Sequence, residues 1–178
     1  MAMRTLVTGG VRSGKSRTAE ELMAGHEAVI YVAPAPFDPT QDDEWAARIA
    51  EHQARRPAHW RTVETLAAAD LLRESHGPVL IDCLGTWLTG TLDELGAWQD
   101  DEQVWRPRLR ERVEDLVAAW SATAGPVVAV TNEVGWGLVS EHRSGRIFAD
   151  ELGRLNARIA GVSDEVLLVV AGRVLRLP

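Results

Sequence analysis

Gly9-Gly10-Val11-Arg12-Ser13-Gly14-Lys15-Ser16 is the stretch from which the fold can be read. It follows an apolar run, Leu6-Val7-Thr8, and precedes Arg17-Thr18-Ala19-Glu20-Glu21-Leu22-Met23, a helix-forming segment. The spacing G-x-x-x-x-G-K-S between a strand and a helix describes a phosphate-binding loop. A polyphosphate carries several negative charges. A backbone bare of Cβ atoms at Gly9 and Gly14 can curl closely enough to offer it consecutive N–H groups. Lys15 adds positive charge near the outer phosphates, and Ser16 offers a hydroxyl to Mg2+. The helix that follows points its positive dipole end at the ligand. Gly10, Val11, Arg12 and Ser13 complete the cradle, so all eight residues are assigned to nucleotide binding, with Lys15 also catalytic. The loop specifies phosphate but not the reaction.

Outward from this loop, strands and helices alternate. Arg4 to Thr8 reads as a buried strand and Lys15 to about Gly25 as the helix after it. Ala28 to Ala33 is a second strand, running into Pro34-Ala35-Pro36-Phe37-Asp38-Pro39. Those prolines exclude helix and central strand, which places a loop at the carboxyl end of a strand, where open α/β sheets hold ligands. Glu44 to about Arg55 reads as a helix stopped by Pro57, Arg61 to Glu64 as a short strand, and Leu66 to Glu74 as a helix. Pro78 to Asp82 is a buried strand ending on a carboxylate, with a helix from Leu84 to Leu95 that Gly85 and Gly90 weaken. Trp98 to Gln103 is polar and reads as a surface connection. Leu109, Val113, Leu116, Val117 and Trp120 then mark a long amphipathic helix. Pro126 to Thr131 is another buried strand, and Asn132 to Ser144 an irregular loop. Phe148, Leu152, Leu155 and Ile159 line a further helix. Glu165 to Ala171 and Val174 to Leu177 form a hairpin through Gly172-Arg173. The expected fold is α/β: a mostly parallel sheet flanked by helices, of the P-loop NTPase (RecA-like) kind, with an antiparallel C-terminal edge. Residues 1–178 are expected to form one catalytic domain.

Composition narrows the function. The 178 residues suit one ordinary globular core. A formal net charge of −7 argues against a broad nucleic-acid-binding surface. A single cysteine, Cys83, allows no internal disulfide and fits a reducing compartment. The chain enters a strand almost at once, leaving no room for a signal peptide, and no apolar run is long enough to span a bilayer, so the cytoplasm is expected. Seven Trp against one Tyr and two Phe is unusual, and ordinary packing is the first explanation for any one of them.

Two further features carry chemistry. Asp82 ends a buried strand, the position that supports Mg2+ or its water beside a phosphate loop, although it could equally cap the next helix. On the helix from Glu44, Arg48, His52 and either Arg55 or Arg56 fall on neighbouring turns. Two cations flanking an imidazole would attract a polyphosphate, and a neutral imidazole is a competent nucleophile. The plainer alternative is a solvated helix with Glu44–Arg48 and Glu51–Arg55 ion pairs.

A resemblance goes further than these residues do alone. Gly9 to Arg17, Asp43-Glu44 with Ala46-Ala47-Arg48-Ile49 and His52, and Arg56-Pro57-Ala58-His59-Trp60-Arg61-Thr62 with Glu64 occur in order. Asp82-Cys83-Leu84 with Trp87-Leu88-Thr89, Asn132-Glu133-Val134-Gly135 with Gly137, Gly153-Arg154-Leu155-Asn156, and Asp164-Glu165-Val166 with Leu168 to Gly172 follow. The chain resembles the bifunctional adenosylcobinamide kinase / adenosylcobinamide-phosphate guanylyltransferase family of cobalamin biosynthesis. The resemblance implies ATP and GTP as substrates with Mg2+, adenosylcobinamide as the corrinoid acceptor, and a homo-oligomer of trimeric form. It places the guanylylated histidine at His52, with His59 the rival in the same block. It places nucleotide contacts at the phosphate loop, at Ala33, Pro34 and Ala35, at Gln53, Ala54, Arg55 and Arg56, and at Glu64 and Asp82, with Ser16 and Asp82 toward the metal. Pro34 departs from the hydroxyl-bearing residue usual there, and Trp45 and Trp136 stand where Met is expected. Enzymes with a single kinase activity, in which His52 is structural, are the alternative. A nucleotide switch is disfavoured because Thr131-Asn132-Glu133-Val134 is not a guanine-specifying Asn-Lys-x-Asp.

Overall fold

The computed structural model describes residues 3–34, 50 and 56–178. Its elements run β1 (Arg4–Gly9), α1 (Lys15–Met23), β2 (Ile30–Ala33), β3 (Arg61–Glu64), α2 (Ala68–Glu74), β4 (Val79–Asp82) and α3 (Leu84–Glu94). α4 (Glu102–Ala122), β5 (Val127–Asn132), α5 (Arg143–Ala160), β6 (Glu165–Val170) and β7 (Arg173–Leu177) complete it. The strands form one sheet in the order β3-β2-β4-β5-β1-β6-β7. Every neighbouring pair is parallel except β6 with β7, which are antiparallel. The α/β architecture with an antiparallel C-terminal edge is therefore as the sequence predicts.

The strands read as continuous apolar runs because both faces of the sheet are covered. Successive side chains point to opposite faces. Leu6, Val79, Ile81, Val127 and Ala129 join the larger core, with residues of α2, α3, α4 and α5. Val7, Leu80, Val128 and Val130 alternate into a smaller core with Ala19 and Met23 of α1, together with Val29, Tyr31 and Trp60. Trp60, Trp87, Trp105 and Trp120 are buried, so packing explains these four, whereas Trp136 is exposed.

The hairpin turn falls at Ala171-Gly172, one residue before the expected Gly172-Arg173, and the expected loop from Asn132 to Ser144 is shortened at both ends by β5 and α5. Two further boundaries differ from the sequence reading, each for a local reason. The helix expected from Leu66 begins at Ala68. The Leu66 carbonyl accepts a hydrogen bond from Trp87 Nε1 at 2.9 Å, and its side chain fills the space beside Gly90, where a Cβ would lie 2.8 Å from Leu66 Cδ2. Gly90 is thus a seat for Leu66 rather than a weakness in α3. The connection expected from Trp98 to Gln103 gives way at Glu102 to α4. Asp101 caps that helix, its carboxylate accepting from the Gln103 N–H at 2.9 Å. Pro107 sits in the second turn of α4, where one internal hydrogen bond is forfeited. Among the described residues no helix is long and apolar enough to cross a membrane.

Candidate functional site

Parallel strands bring their carboxyl ends to one edge of the sheet, and Gly9, Ala33, Glu64, Asp82 and Asn132 all lie there. β1 sits centrally between β5 and β6, with Gly9 paired to Asn132 on one side and Val169 on the other. The close approach explains Gly9: a Cβ there would lie 2.5 Å from the Val169 carbonyl oxygen. The chain then turns, with the Ser13 N–H donating to the Gly10 carbonyl at 3.3 Å. Arg12 has φ 55° and Gly14 φ 97°, so the backbone passes twice through the left-handed region. Such alternation turns consecutive N–H groups toward one concavity, an anion nest. Gly14 is the N-cap of α1 and gives no side-chain cap, leaving the helix N-terminus to an anionic ligand.

The loop is braced from the far end of the chain. The turn between β6 and β7, Ala171 with φ 49° and Gly172 with φ 73°, places the Gly172 N–H against the Ser13 carbonyl at 2.9 Å. On the other side, the Glu133 N–H donates to the Gly9 carbonyl at 3.1 Å, and the Thr8 hydroxyl donates to Glu133 Oε1 at 2.7 Å. Asn156 of α5 ties the same region down. It accepts from the Thr131 hydroxyl at 2.6 Å and donates to the Asn132 carbonyl at 3.1 Å.

Lys15 is buried to 9 % exposure and donates from Nζ to the Gly10 carbonyl at 3.0 Å. Burial draws its ammonium below the usual lysine range, while Cys83 and Asp82 pull in the opposite direction. Asp82 pairs in register with Val130, which pairs with Val7, so its carboxylate stands one strand beyond the neighbour of β1. The helix-cap alternative for Asp82 is not what forms: the N-cap of α3 is Cys83, with no side-chain cap. Asp82 Oδ2 instead accepts from the Tyr31 hydroxyl at 2.9 Å. Burial, chiefly, and then the adjacent Asp82 charge hold the Tyr31 phenol far above its ordinary value. Ser16 and Asp82 offer a hydroxyl and a carboxylate, oxygen donors of the hard type that Mg2+ takes. Among the described residues no group of three or more His, Cys, Asp or Glu is placed so that it could hold a metal ion. A Mg2+ held by one or two protein oxygens, with phosphate and water supplying the rest, fits that donor set.

At the other end of the edge, Ala33 closes β2 with Pro34 buried after it, and Glu64 is exposed at the end of β3, in register with Ala33. Four strand spacings separate β3 from β1, roughly 19 Å. That span suits an extended nucleotide lying along the edge with its phosphates at β1. Arg56 is half-buried, its guanidinium carbon 3.5 Å from the centroid of the Tyr31 ring and its Nη1 donating to the Thr62 hydroxyl at 3.1 Å. His59 is exposed in the turn before Trp60. Ala35, His52, Gln53, Ala54 and Arg55 lie outside the described residues, as do Trp45 and Arg48.

Tyr31 is the residue that sequence reasoning missed. Within Ile30-Tyr31-Val32 it looks like strand filler. Its polar tip amid an apolar run was the available signal, since a buried phenol needs a hydrogen-bond partner.

The family model described as "Cobinamide kinase / cobinamide phosphate guanyltransferase" matches residues 5–177. The bifunctional adenosylcobalamin biosynthesis protein CobU of Salmonella typhimurium is 46 % identical over 181 residues, covering 96 % of this chain and 97 % of the relative. The protein of the same name from Escherichia coli K12 is 42 % identical over 178 residues, with 96 % and 97 % covered. CobP of Pseudomonas aeruginosa, also described as a bifunctional adenosylcobalamin biosynthesis protein, is 43 % identical over 175 residues, with 96 % and 94 % covered. Among solved structures, the ATPase EscN of the enteropathogenic E. coli type III secretion system superposes with a TM-score of 0.56 at 12 % identity. It is covered over 43 % of its length, against 96 % of this chain, so the likeness is one of fold. A second type III secretion ATPase gives 0.57 at 11 % identity, with 93 % of this chain and 50 % of that one covered. A phosphate loop braced on both sides, a buried lysine and a strand-end aspartate thus sit in a chain matched along nearly its full length. It belongs to the cobinamide kinase / cobinamide phosphate guanyltransferase family.

Proposed function

We propose that one nucleoside triphosphate site, at Gly9 to Ser16, serves both reactions of this bifunctional kinase and guanylyltransferase of cobalamin biosynthesis, with His52 as the guanylylated residue. The observation that carries the reading is the phosphate loop itself. Its strained turn, helix N-terminus without a side-chain cap and buried Lys15 converge at the centre of the sheet edge, with Asp82 nearby.

In the kinase step, the hydroxyl oxygen of the aminopropanol arm of adenosylcobinamide attacks the γ-phosphorus. The bond to the β,γ-bridging oxygen breaks, the hydroxyl loses its proton, and a nucleoside diphosphate leaves. In the second activity an imidazole nitrogen of His52 attacks the α-phosphorus of GTP and pyrophosphate leaves. A phosphate oxygen of adenosylcobinamide phosphate then displaces the imidazole, giving adenosylcobinamide-GDP. The phosphoramidate keeps the activation of GTP between the two half-reactions. Lys15 and the loop N–H groups neutralise charge on the phosphates in both reactions, and Arg12 adds a further cation at the loop. When bound by Ser16 and Asp82, Mg2+ supplies further neutralisation of phosphate charge. The rest of the proposed nucleotide site is Ala33 to Ala35, Gln53 to Arg56 and Glu64. We extend the proposal to cytoplasmic residence and a homotrimer, which the exposed Trp136, Leu138 and Val139 support as surfaces a second copy can cover.

Mass spectrometry of the intact protein after incubation with GTP and Mg2+ tests this directly. A single added GMP, acid-labile and base-stable and absent from His52→Ala, is the expected result, with kinase activity largely retained. Labelling that persists in His52→Ala would transfer the role to His59.

A further inference from the structure

Tyr31 touches two residues of the proposed nucleotide site and belongs to neither of the motifs that announce it. It is 1 % exposed, in β2, packed in the same core as Val29, Trp60 and Leu80. A phenylalanine would fill that space without burying a hydroxyl that needs a partner. The hydroxyl donates to Asp82 Oδ2 at 2.9 Å, across the register that aligns Tyr31 with Leu80, two residues before Asp82. One face of the ring is covered by Arg56, 3.5 Å from guanidinium carbon to ring centroid. Thr62 of the neighbouring strand holds the same guanidinium from another side at 3.1 Å.

We propose that Tyr31 is a positioning residue for nucleotide chemistry: its hydroxyl fixes the rotamer of the Asp82 carboxylate, and its ring seats Arg56. A carboxylate at a strand end and a long arginine both have rotamer freedom that must be lost before they can act on a phosphate. A residue locked in the core of the sheet, touching both, removes that freedom before the nucleotide arrives. The two contacts use different parts of one side chain, so they separate by mutation. The inference rests on the assignment of Asp82 and Arg56 to the nucleotide site.

Two variants read the two halves. Tyr31→Phe keeps the ring and the packing and removes the hydroxyl. It is expected to lower kcat of both activities about tenfold, as the loss of a hydrogen bond to a charged group does. Its equilibrium dissociation constant for fluorescently labelled GTP, measured in EDTA, should stay within about twofold of the wild type. Tyr31→Leu also removes the platform and is expected to weaken GTP binding about three- to fivefold, the size of a cation–π contact. Introducing Tyr31→Leu into an Arg56→Met background should then cost no further affinity, because the platform acts through that arginine.

Wild-type kcat in Tyr31→Phe would overturn the hydroxyl's role. Additive losses from Tyr31→Leu and Arg56→Met would overturn the ring's. Melting temperatures of all variants are measured alongside, and Tyr31→Phe carries the test if the leucine variant does not fold. A wild-type protein without either activity would instead refute the functional reading, and the GTP-binding comparison would still decide the coupling of Tyr31 to Arg56.

Discussion

Replacing Gly9 by alanine tests the physical basis of the phosphate loop. The new Cβ would stand 2.5 Å from the Val169 carbonyl oxygen and 2.6 Å from Ser13 Oγ, where ordinary contact begins at 3.4 Å. The serine hydroxyl can rotate away. The Val169 oxygen cannot, because it belongs to the backbone of β6, paired in register with Gly9. Relief requires β1 and β6 to part by up to about 0.9 Å against a strand spacing of about 4.8 Å. Forced overpacking of this kind costs about 1–3 kcal/mol. For a chain of this size that lowers the melting temperature by roughly 2–12 °C. Gly10 is the control: nothing lies within 4 Å of a Cβ there, so Gly10→Ala should shift stability by no more than about 0.5 kcal/mol. Calorimetry of the two variants without nucleotide, followed by titration with labelled GTP, separates scaffold from ligand contact. Gly9→Ala should melt early and bind GTP weakly. A Gly9→Ala protein that melts with the wild type would refute the idea that the close strand approach is what demands glycine.

Three further outcomes follow from contacts already described. Lys15→Ala should reduce both kinase and guanylylation rates by about a hundredfold or more, since the proposed site sets the buried Lys15 against the phosphates in each; a fall in kinase rate alone would mean two separate triphosphate sites. Asn156→Leu strands the Thr131 hydroxyl and the Asn132 carbonyl, both currently bonded to Asn156, and should cost about 2–4 kcal/mol. Urea denaturation should show this as a lower midpoint at unchanged slope. Asp164 is held at about 2 by hydrogen bonds from the Arg4 side chain and N–H, below the unfolded carboxylate value of about 3.9. Its contribution is therefore present above about pH 4 and is lost as pH falls toward 2. Asp164→Asn should be less stable than the wild type at pH 7, with the gap closing across that acidic window when unfolding is followed by circular dichroism.

The sheet was legible because it is parallel and covered on both faces. Leu6-Val7 and Val79-Leu80-Ile81 are apolar whichever way each side chain points, so the runs stand out against the helices between them. The phosphate loop was legible because its requirements fall on consecutive residues. Tyr31 was not, since its partners lie 51 positions away at Asp82 and, through the ring face, at Arg56. Nothing in a run of strand residues says which polar tip meets which carboxylate. The start of α4 was hidden by Asp100-Asp101-Glu102-Gln103 and by Pro107, although Asp101 before an acidic first turn is a capping signal, and Trp105 and Leu109 stand four apart. Gly90 misled in the other direction, because propensity cannot see the Leu66 side chain that the missing Cβ admits.

The bond from the Gly172 N–H to the Ser13 carbonyl has a consequence for how the protein is made. β1 leaves the ribosome before the rest of the sheet, yet its sheet neighbours begin at Val127 and Glu165, and the brace on its loop comes after both. At translation speeds of about 5–20 residues per second, the nucleotide cradle waits on the order of ten to thirty seconds for its last contact. For most of that interval, until β5 is complete at Asn132, β1 is an apolar strand with neither neighbour in place. The finished shape of the cradle is thus acquired only after Gly172 has emerged, so a nascent chain interrupted before the β6–β7 hairpin carries the whole loop sequence without that shape.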